Sequence, residues 1–416
     1  MPDDAVSAVP FWAVASITIV QTFTALVPAL WLSMKLAARP FHAADGESWV
    51  ERAQASWPLQ TLYGIAYAVS LGALIAWQFL RWTDTERLFA GPAAWCACGV
   101  VIVVMLWASR RTYALVHGEL PARRTTLHTT AFMWIVQWAT LPIVFIAMRF
   151  CPRQFDERAV LVYIATLAAL LVLNFGGSMA LLRLFRVARP ASEKTQAILE
   201  AAAARCGFAA PPVYELDLSY ANAWAFPTTG QVGVTRKLVA DLEPDELESI
   251  LLHETAHVQE SRGEVAKRLL MIPFVASMAW MPVILSNYRL KGIYLYLLAF
   301  YGVIFWSRRI AHRLEVEADA FSTRCVISPA CYARGLEKIY RLNLVPAVMG
   351  RISPTHPDLY DRMLAAGVEP DYKRPPRPSR TFGIVTKLLF FVLLVVGLFI
   401  TEIGVRVVLH RWFDAI

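Results

Sequence analysis

Two histidines four residues apart, with a glutamate beside the first, form the run His253-Glu254-Thr255-Ala256-His257. On an α-helix that spacing puts both imidazoles on one face, one turn apart. Both can then reach a single Zn²⁺, and Glu254 stands beside them as a candidate general base. The plain alternative is an amphipathic helix that happens to carry two of the chain's eight histidines. A catalytic zinc needs three protein ligands and an open position. An extended three-histidine motif would put Gly at 260 and His at 263, but the chain has Glu260 and Gly263, so the third ligand lies further on. The best candidate sits in His312-Arg313-Leu314-Glu315-Val316-Glu317-Ala318-Asp319. Glu315 and Asp319 share one helical face. Glu315 could ligate zinc while Asp319 accepts the second ring N–H of a ligating histidine. Glu317 points another way and receives no role. A solvated acidic helix face is the competing reading of this run, and the histidine pair tips the choice. A structural zinc would need a fourth protein ligand, for which Glu260 or Glu264 could be proposed.

The elements that must hold these groups can be read locally. Residues 192–206 form a helix stopping at Gly207, and 212–218 alternate like a strand. Two more strands, 222–226 and 231–236, flank the turn Pro227-Thr228-Thr229-Gly230. Pro244 suits the first position of the next helix, with Asp245, Glu246 and Glu248 near its N-terminal end. A small sheet followed by a histidine-bearing helix is the general layout of zinc peptidases, in which an edge strand holds an extended peptide by main-chain bonds.

Around this polar part the chain is strongly apolar: 57% of its residues are hydrophobic and 17% charged, against about 25% charged in soluble proteins. Eight stretches approach spanning length: 11–32, 58–80, 92–108, 128–150, 158–182, 269–287, 290–307 and 383–409. The third is short and the first contains Pro28, so either could be re-entrant or kinked. Met1–Asp4 carries acidic charge, unlike the basic start of a cleaved signal peptide. Gln21, Gln137 and Asn174 fall inside spans, where helix–helix hydrogen bonding is the first reading and cavity lining the second. With eight spans, the polar regions 183–268 and 308–382 share one side with the basic loops at 35–52 and 110–124. The positive-inside rule makes that side cytoplasmic. Topology therefore explains the net charge of +8, and no nucleic-acid partner is expected. Six scattered cysteines form no disulfide framework. The Pro/basic segment Lys373-Arg374-Pro375-Pro376-Arg377-Pro378 reads as a linker meeting lipid headgroups.

Taken together in order, these motifs resemble the membrane zinc metallopeptidases of family M48, of the HtpX and CAAX prenyl protease type. The resemblance covers roughly 192–363: the Asn222-Ala223 strand, His253-Glu254-x-x-His257, two inserted spans, Glu315-x-x-Ala318-Asp319, and Thr355-His356-Pro357 followed by Arg362. Thr255 stands where the family commonly has an apolar residue. The resemblance implies one zinc on His253, His257 and Glu315, with His356 and Arg362 near the bound peptide. It also implies substrate lying along Asn222, Ala223 and Trp224. The many N-terminal spans look closer to the CAAX type, whose helices enclose a chamber.

The expectation is a mainly α polytopic membrane protein with about eight transmembrane helices and a small zincin-type α+β catalytic domain on the cytoplasmic side. Its parts are 1–182, five spans; 183–268, the edge strand and histidine helix; 269–307, a membrane hairpin; 308–382, the third ligand and substrate-side loop; and 383–416, the last span. The expected activity is zinc-dependent endoproteolysis of membrane or membrane-associated proteins, with Glu254 as base and His356 or Arg362 donating to the oxyanion. Its partners are a peptide or protein substrate and the lipid bilayer, in an inner (cytoplasmic) membrane of bacterial type. Alternatives are maturation of a specific lipidated or signalling peptide and, in another class, a non-catalytic zinc-binding receptor or transporter.

Overall fold

The computed structural model describes residues 11–81, 87–326, 328–349 and 357–414, and its chain divides into two compact units. Helices stand at all eight expected apolar stretches. Among the described residues five are long and apolar enough to cross a membrane, or six with one bent pair counted as a span. The run Arg262–Cys325, which passes that test as one length, contains the expected spans 269–287 and 290–307. The helix over the expected span 58–80 is not in that set.

The first unit, Met1–Pro121, Leu344–Pro346 and Pro376–Ile416, is a bundle of α1 (Phe11–Ala43), α2 (Trp49–Arg81), α3 (Arg87–His117) and α16 (Arg380–Asp414). Glycine at 397 lets α1 and α16 approach closely: a Cβ there would lie 3.0 Å from the Ala25 Cα. Near this crossing Gln21 Nε2 donates to Glu402 Oε2 at 3.1 Å, a bond between helices.

The second unit, Ala122–Asn343 and Ala347–Pro375, carries the polar chemistry. It begins with α4 (Arg123–Phe132), which runs through a π-helical turn and bends 53° into α5 (Thr140–Phe150). Asp156 then caps α6 (Glu157–Val172) by accepting from the Ala159 amide at 3.0 Å. After a break at Phe175–Gly176 comes α7 (Ser178–Leu184). Asn174, before that break, bonds the Leu170 carbonyl of its own helix at 2.8 Å.

Four short strands form one sheet of order β1-β2-β4-β3: β1 (Ala188–Pro190), β2 (Val213–Leu216), β3 (Ala223–Phe226) and β4 (Gln231–Thr235). β1 was not expected from sequence; three residues are too few to show a period. α8 (Glu193–Cys206) joins β1 to β2; β2 and β4 run parallel with β3 between them in sequence, while β3 pairs antiparallel with β4 and ends the sheet. The pair Val232 and Val234 of β4 is fully buried. α9 (Arg236–Asp241) leads into α10 (Pro244–Val258), which has Pro244 at its first turn. There the Glu246 carboxylate accepts from the Glu243 amide at 3.0 Å.

Beyond α10 come α11 (Arg262–Leu269), α12 (Met271–Ala276) and α13 (Met281–Cys325). α13 breaks at Arg289, whose φ of 52° and ψ of −144° are not helical. An unbroken helix would separate Phe274 and Phe300 by about 39 Å. Their rings instead lie 5.7 Å apart, and Tyr296 Oη donates to the Phe274 carbonyl at 2.9 Å. The segment is therefore a hairpin that returns the chain to the polar side. Its second arm leaves Leu295, Leu298 and Tyr301 about two-thirds exposed (69%, 68% and 67%), an apolar surface suited to lipid. α14 (Pro329–Asn343) and α15 (Leu359–Ala365) complete the unit. Gly335 lets α14 lie against α10, since a Cβ there would be 3.2 Å from the Glu246 carbonyl oxygen.

Candidate metal centre

α10 supplies both histidines from its inner face. Leu247, Ile250, Leu251 and Leu252 are buried around them and fix the helix rotation. His253 and His257 are themselves buried, with rings 5.1 Å apart and nearly perpendicular. The hairpin brings Glu315 of α13 opposite. Its Oε2 lies 3.5 Å from His253 Nε2 and its Oε1 3.5 Å from His257 Nε2. One ligand atom from each of these three residues falls within 4.8 Å of the others, the one such group of His, Cys, Asp or Glu among the described residues.

The other ring nitrogens are engaged elsewhere. His253 Nδ1 lies 3.0 Å from Tyr332 Oη and 3.1 Å from Asp319 Oδ1. His257 Nδ1 lies 2.8 Å from Glu260 Oε1. With carboxylates accepting at each Nδ1–H, the network assigns the tautomer that frees both Nε2 lone pairs toward Glu315. Two imidazole nitrogens and one carboxylate, converging with their outer partners in place, suit a zinc ion. The electrostatics agree. Burial lowers the pKa of His253, but Asp319, Glu315 and the charge of Glu254 outweigh it and raise the pKa overall. For His257 the same contest against Glu260, Glu315 and Glu254 ends with the pKa pushed up to about 10. The pocket favours a cation.

Arg362 on α15 closes the network behind His253. Its Nε donates to Asp319 Oδ2 at 2.9 Å, and one Nη donates to Asp319 Oδ1 at 2.6 Å and to Tyr332 Oη at 2.7 Å. Burial holds the Tyr332 phenol well above its ordinary pKa, so it stays a donor, and its proton goes to Asp319. Against the cost of its burial, the Asp319 carboxylate holds Arg362 protonated. Arg362 was expected beside the substrate. Its described bonds turn it toward Asp319, on the Nδ1 side of His253. His356 lies outside the described residues. Glu254 is half-buried, while the three ligands are covered.

β3 carries the expected substrate residues, but not equally. The Thr235 amide donates to the Asn222 carbonyl at 2.9 Å, and the Asn222 amide donates to Thr235 Oγ1 at 3.0 Å. Antiparallel alternation then gives Trp224 and Phe226 to the ladder and turns the N–H and C=O of Ala223 and Ala225 away from β4. The Trp224 indole packs on Phe132, ring centres 4.7 Å apart, and on Tyr220 at 5.7 Å. Of the three expected contacts, Ala223 faces the open edge; Ala225 joins it. Tyr332 and Glu260 were also missed as parts of the centre. Tyr332 carried no motif, but Glu260, three residues past His257, was legible as a helical neighbour. Glu317 makes an exposed pair with Arg313, as a solvated face would.

Residues 191–367, which hold every one of these groups, match the sequence model of Peptidase family M48. The stretch is similar to peptidase family M48. Two curated relatives are similar to it. Protease HtpX homolog 1 of Sulfurisphaera tokodaii is 32% identical over 81 residues, covering 19% of this chain and 26% of that protein. Protease HtpX homolog of Methanothermobacter thermautotrophicus is 29% identical over 174 residues, covering 40% of this chain and 66% of that protein. The chain thus spans 26% of the first relative's length and 66% of the second's. Family M48 comprises zinc metallopeptidases. The apolar helices α1 to α7 lie before the matched stretch and α16 after it.

Proposed function

We propose that this chain is an integral-membrane, zinc-dependent endopeptidase acting on membrane or membrane-associated proteins. The observation that carries the reading is the meeting of His253, His257 and Glu315 beside a half-exposed Glu254. His253, His257 and Glu315 would hold one zinc. The chemistry such an ion brings is polarisation of a carbonyl and acidification of water, whose pKa falls to about 7. Glu254 accepts the proton released as water adds to the scissile carbonyl, then delivers it to the departing amine. Substrate lies extended along β3, bonded to the outward main-chain groups of Ala223 and Ala225. His356 is the proposed oxyanion donor. Arg362 acts by holding Asp319 and, through it, His253. The bias of Arg and Lys toward loops of the polar regions supports a cytoplasmic active site in an inner membrane.

The rival class, a receptor or transporter with a structural zinc, would need a fourth protein ligand. Glu260 faces Nδ1 of His257, and Glu264 pairs with Lys267 at 2.8 Å and Arg313 at 2.6 Å. A donor set of three residues, with no fourth such ligand converging among the described residues, favours catalysis. The deciding measurement is cleavage of casein in detergent by the wild type and by Glu254→Gln, with zinc content read in parallel. Glu254→Gln should retain zinc and lose about 10²–10⁴ in rate. Cleavage at the wild-type rate by that variant would overturn the mechanism, and zinc without cleavage by the wild type would favour the binding class.

A further inference from the structure

We infer that Glu260 is the positioning residue of His257, fixing its tautomer and strengthening its Nε2 as a zinc donor. This rests on the zinc reading of the centre. Glu260 sits two residues past the end of α10, and its amide bonds the His257 carbonyl at 3.4 Å. The backbone thus folds Glu260 back beneath the ring it follows. Its Oε1 reaches His257 Nδ1 at 2.8 Å, with the two side chains only 7% and 6% exposed. A carboxylate this covered is costly unless a partner uses its charge. The contact falls on the nitrogen opposite the ligand trio, which separates Glu260 from a ligand role.

The two histidines are supported by different means. His253 draws on Asp319 and Tyr332, groups brought from α13 and α14 and braced by Arg362 of α15. His257 draws on a carboxylate three residues along its own chain, so its support forms with α10 and needs no other helix to arrive. Outer partners of this kind typically change metal affinity 10–100-fold when removed.

The test uses the full chain in detergent, titrated with zinc against a chromophoric chelator. Wild type is compared with Glu260→Gln, Glu260→Ala and Glu264→Gln, the last altering a surface ion pair nearby. Glu260→Ala should bind zinc 10–100-fold more weakly, and Glu260→Gln, which keeps an acceptor oxygen without the charge, should fall between. The Co²⁺-substituted protein supplies a readout that mere helix-end packing does not move. Its visible absorption should shift for both Glu260 variants and stay unchanged for Glu264→Gln. Equal zinc affinity and an unshifted cobalt spectrum in Glu260→Ala overturn the inference. A wild type that binds neither ion refutes the zinc reading itself, a distinct outcome.

Discussion

Replacing Arg362 by Met separates two roles for this residue, bracing His253 or meeting the substrate. The variant keeps the apolar stem and deletes the guanidinium, which donates through Nε and one Nη to Asp319 and through that Nη to Tyr332. Asp319 is then left as a largely covered carboxylate without its counter-charge. Breaking a buried pair from one side costs about 3–5 kcal/mol. The Asp319 side chain is 18% exposed and keeps Tyr332 and His253 as donors, so the lower end, about 3 kcal/mol, applies here. For a unit of this size that corresponds to a melting temperature lower by about 6–12 °C. The assay is thermal unfolding in detergent of the wild type, Arg362→Met, Asp319→Asn and the double variant. Removing both charges leaves no unpaired ion, so the double variant should be more stable than the sum of the single losses, by at least about 1 kcal/mol. An Arg362→Met protein that melts within about 2 °C of wild type yet no longer cleaves would refute the bracing role and return Arg362 to the substrate.

Glu315→Ala should lose zinc, as measured by metal analysis, while keeping its helical circular dichroism, because the hairpin's packing does not pass through that carboxylate. The pH response of the metal-stripped protein follows from His257, whose pKa is raised from 6.5 to about 10 by Glu260 and Glu315 against the opposing effect of burial. A raised folded-state pKa stabilises fully below the unfolded value and is lost as pH climbs through the folded one. The melting temperature should therefore fall between about pH 6.5 and 10, and apparent zinc affinity should rise over the same window as protons leave the site; a flat melting profile contradicts this. Ala225→Pro removes an N–H that β4 does not use, so cleavage should drop with stability nearly kept, whereas Trp224→Pro removes a ladder bond and should destabilise. Equal effects of the two proline variants on stability would show that the β3 register is wrong.

Much of this was legible because it is local. The histidine pair four apart needs only helical geometry, and Pro244 with its acidic neighbours announces where that helix begins. The strands at 213–216, 223–226 and 231–235 fall inside the stretches read from alternation and turn residues. The β1 strand was not legible, since three residues next to a membrane helix show no period. Tyr332 was invisible because a buried tyrosine on an amphipathic helix looks like any core aromatic. Arg362 was visible as a charge, but its direction depends on Asp319, 43 residues away. Cys206 and Cys325, read as scattered, meet where α8 and α13 end, with the Cys206 Sγ 3.5 Å from the Cys325 carbonyl oxygen.

By itself the sequence determined that a helix could hold zinc through His253 and His257, that Glu254 stood ready as a base, and that a large part of the chain is apolar enough for lipid. Those properties depend on residue type and on spacings within a turn or two. Tertiary structure brought Glu315 and Asp319, already legible as candidates, to the pair, and decided which nitrogen of each ring faces Glu315 and that Tyr332, Arg362 and Glu260 brace the rings from behind. These depend on a fold-back at Arg289 and on the close approach of α14 to α10 at Gly335, contacts between segments far apart in sequence whose directions no local pattern encodes.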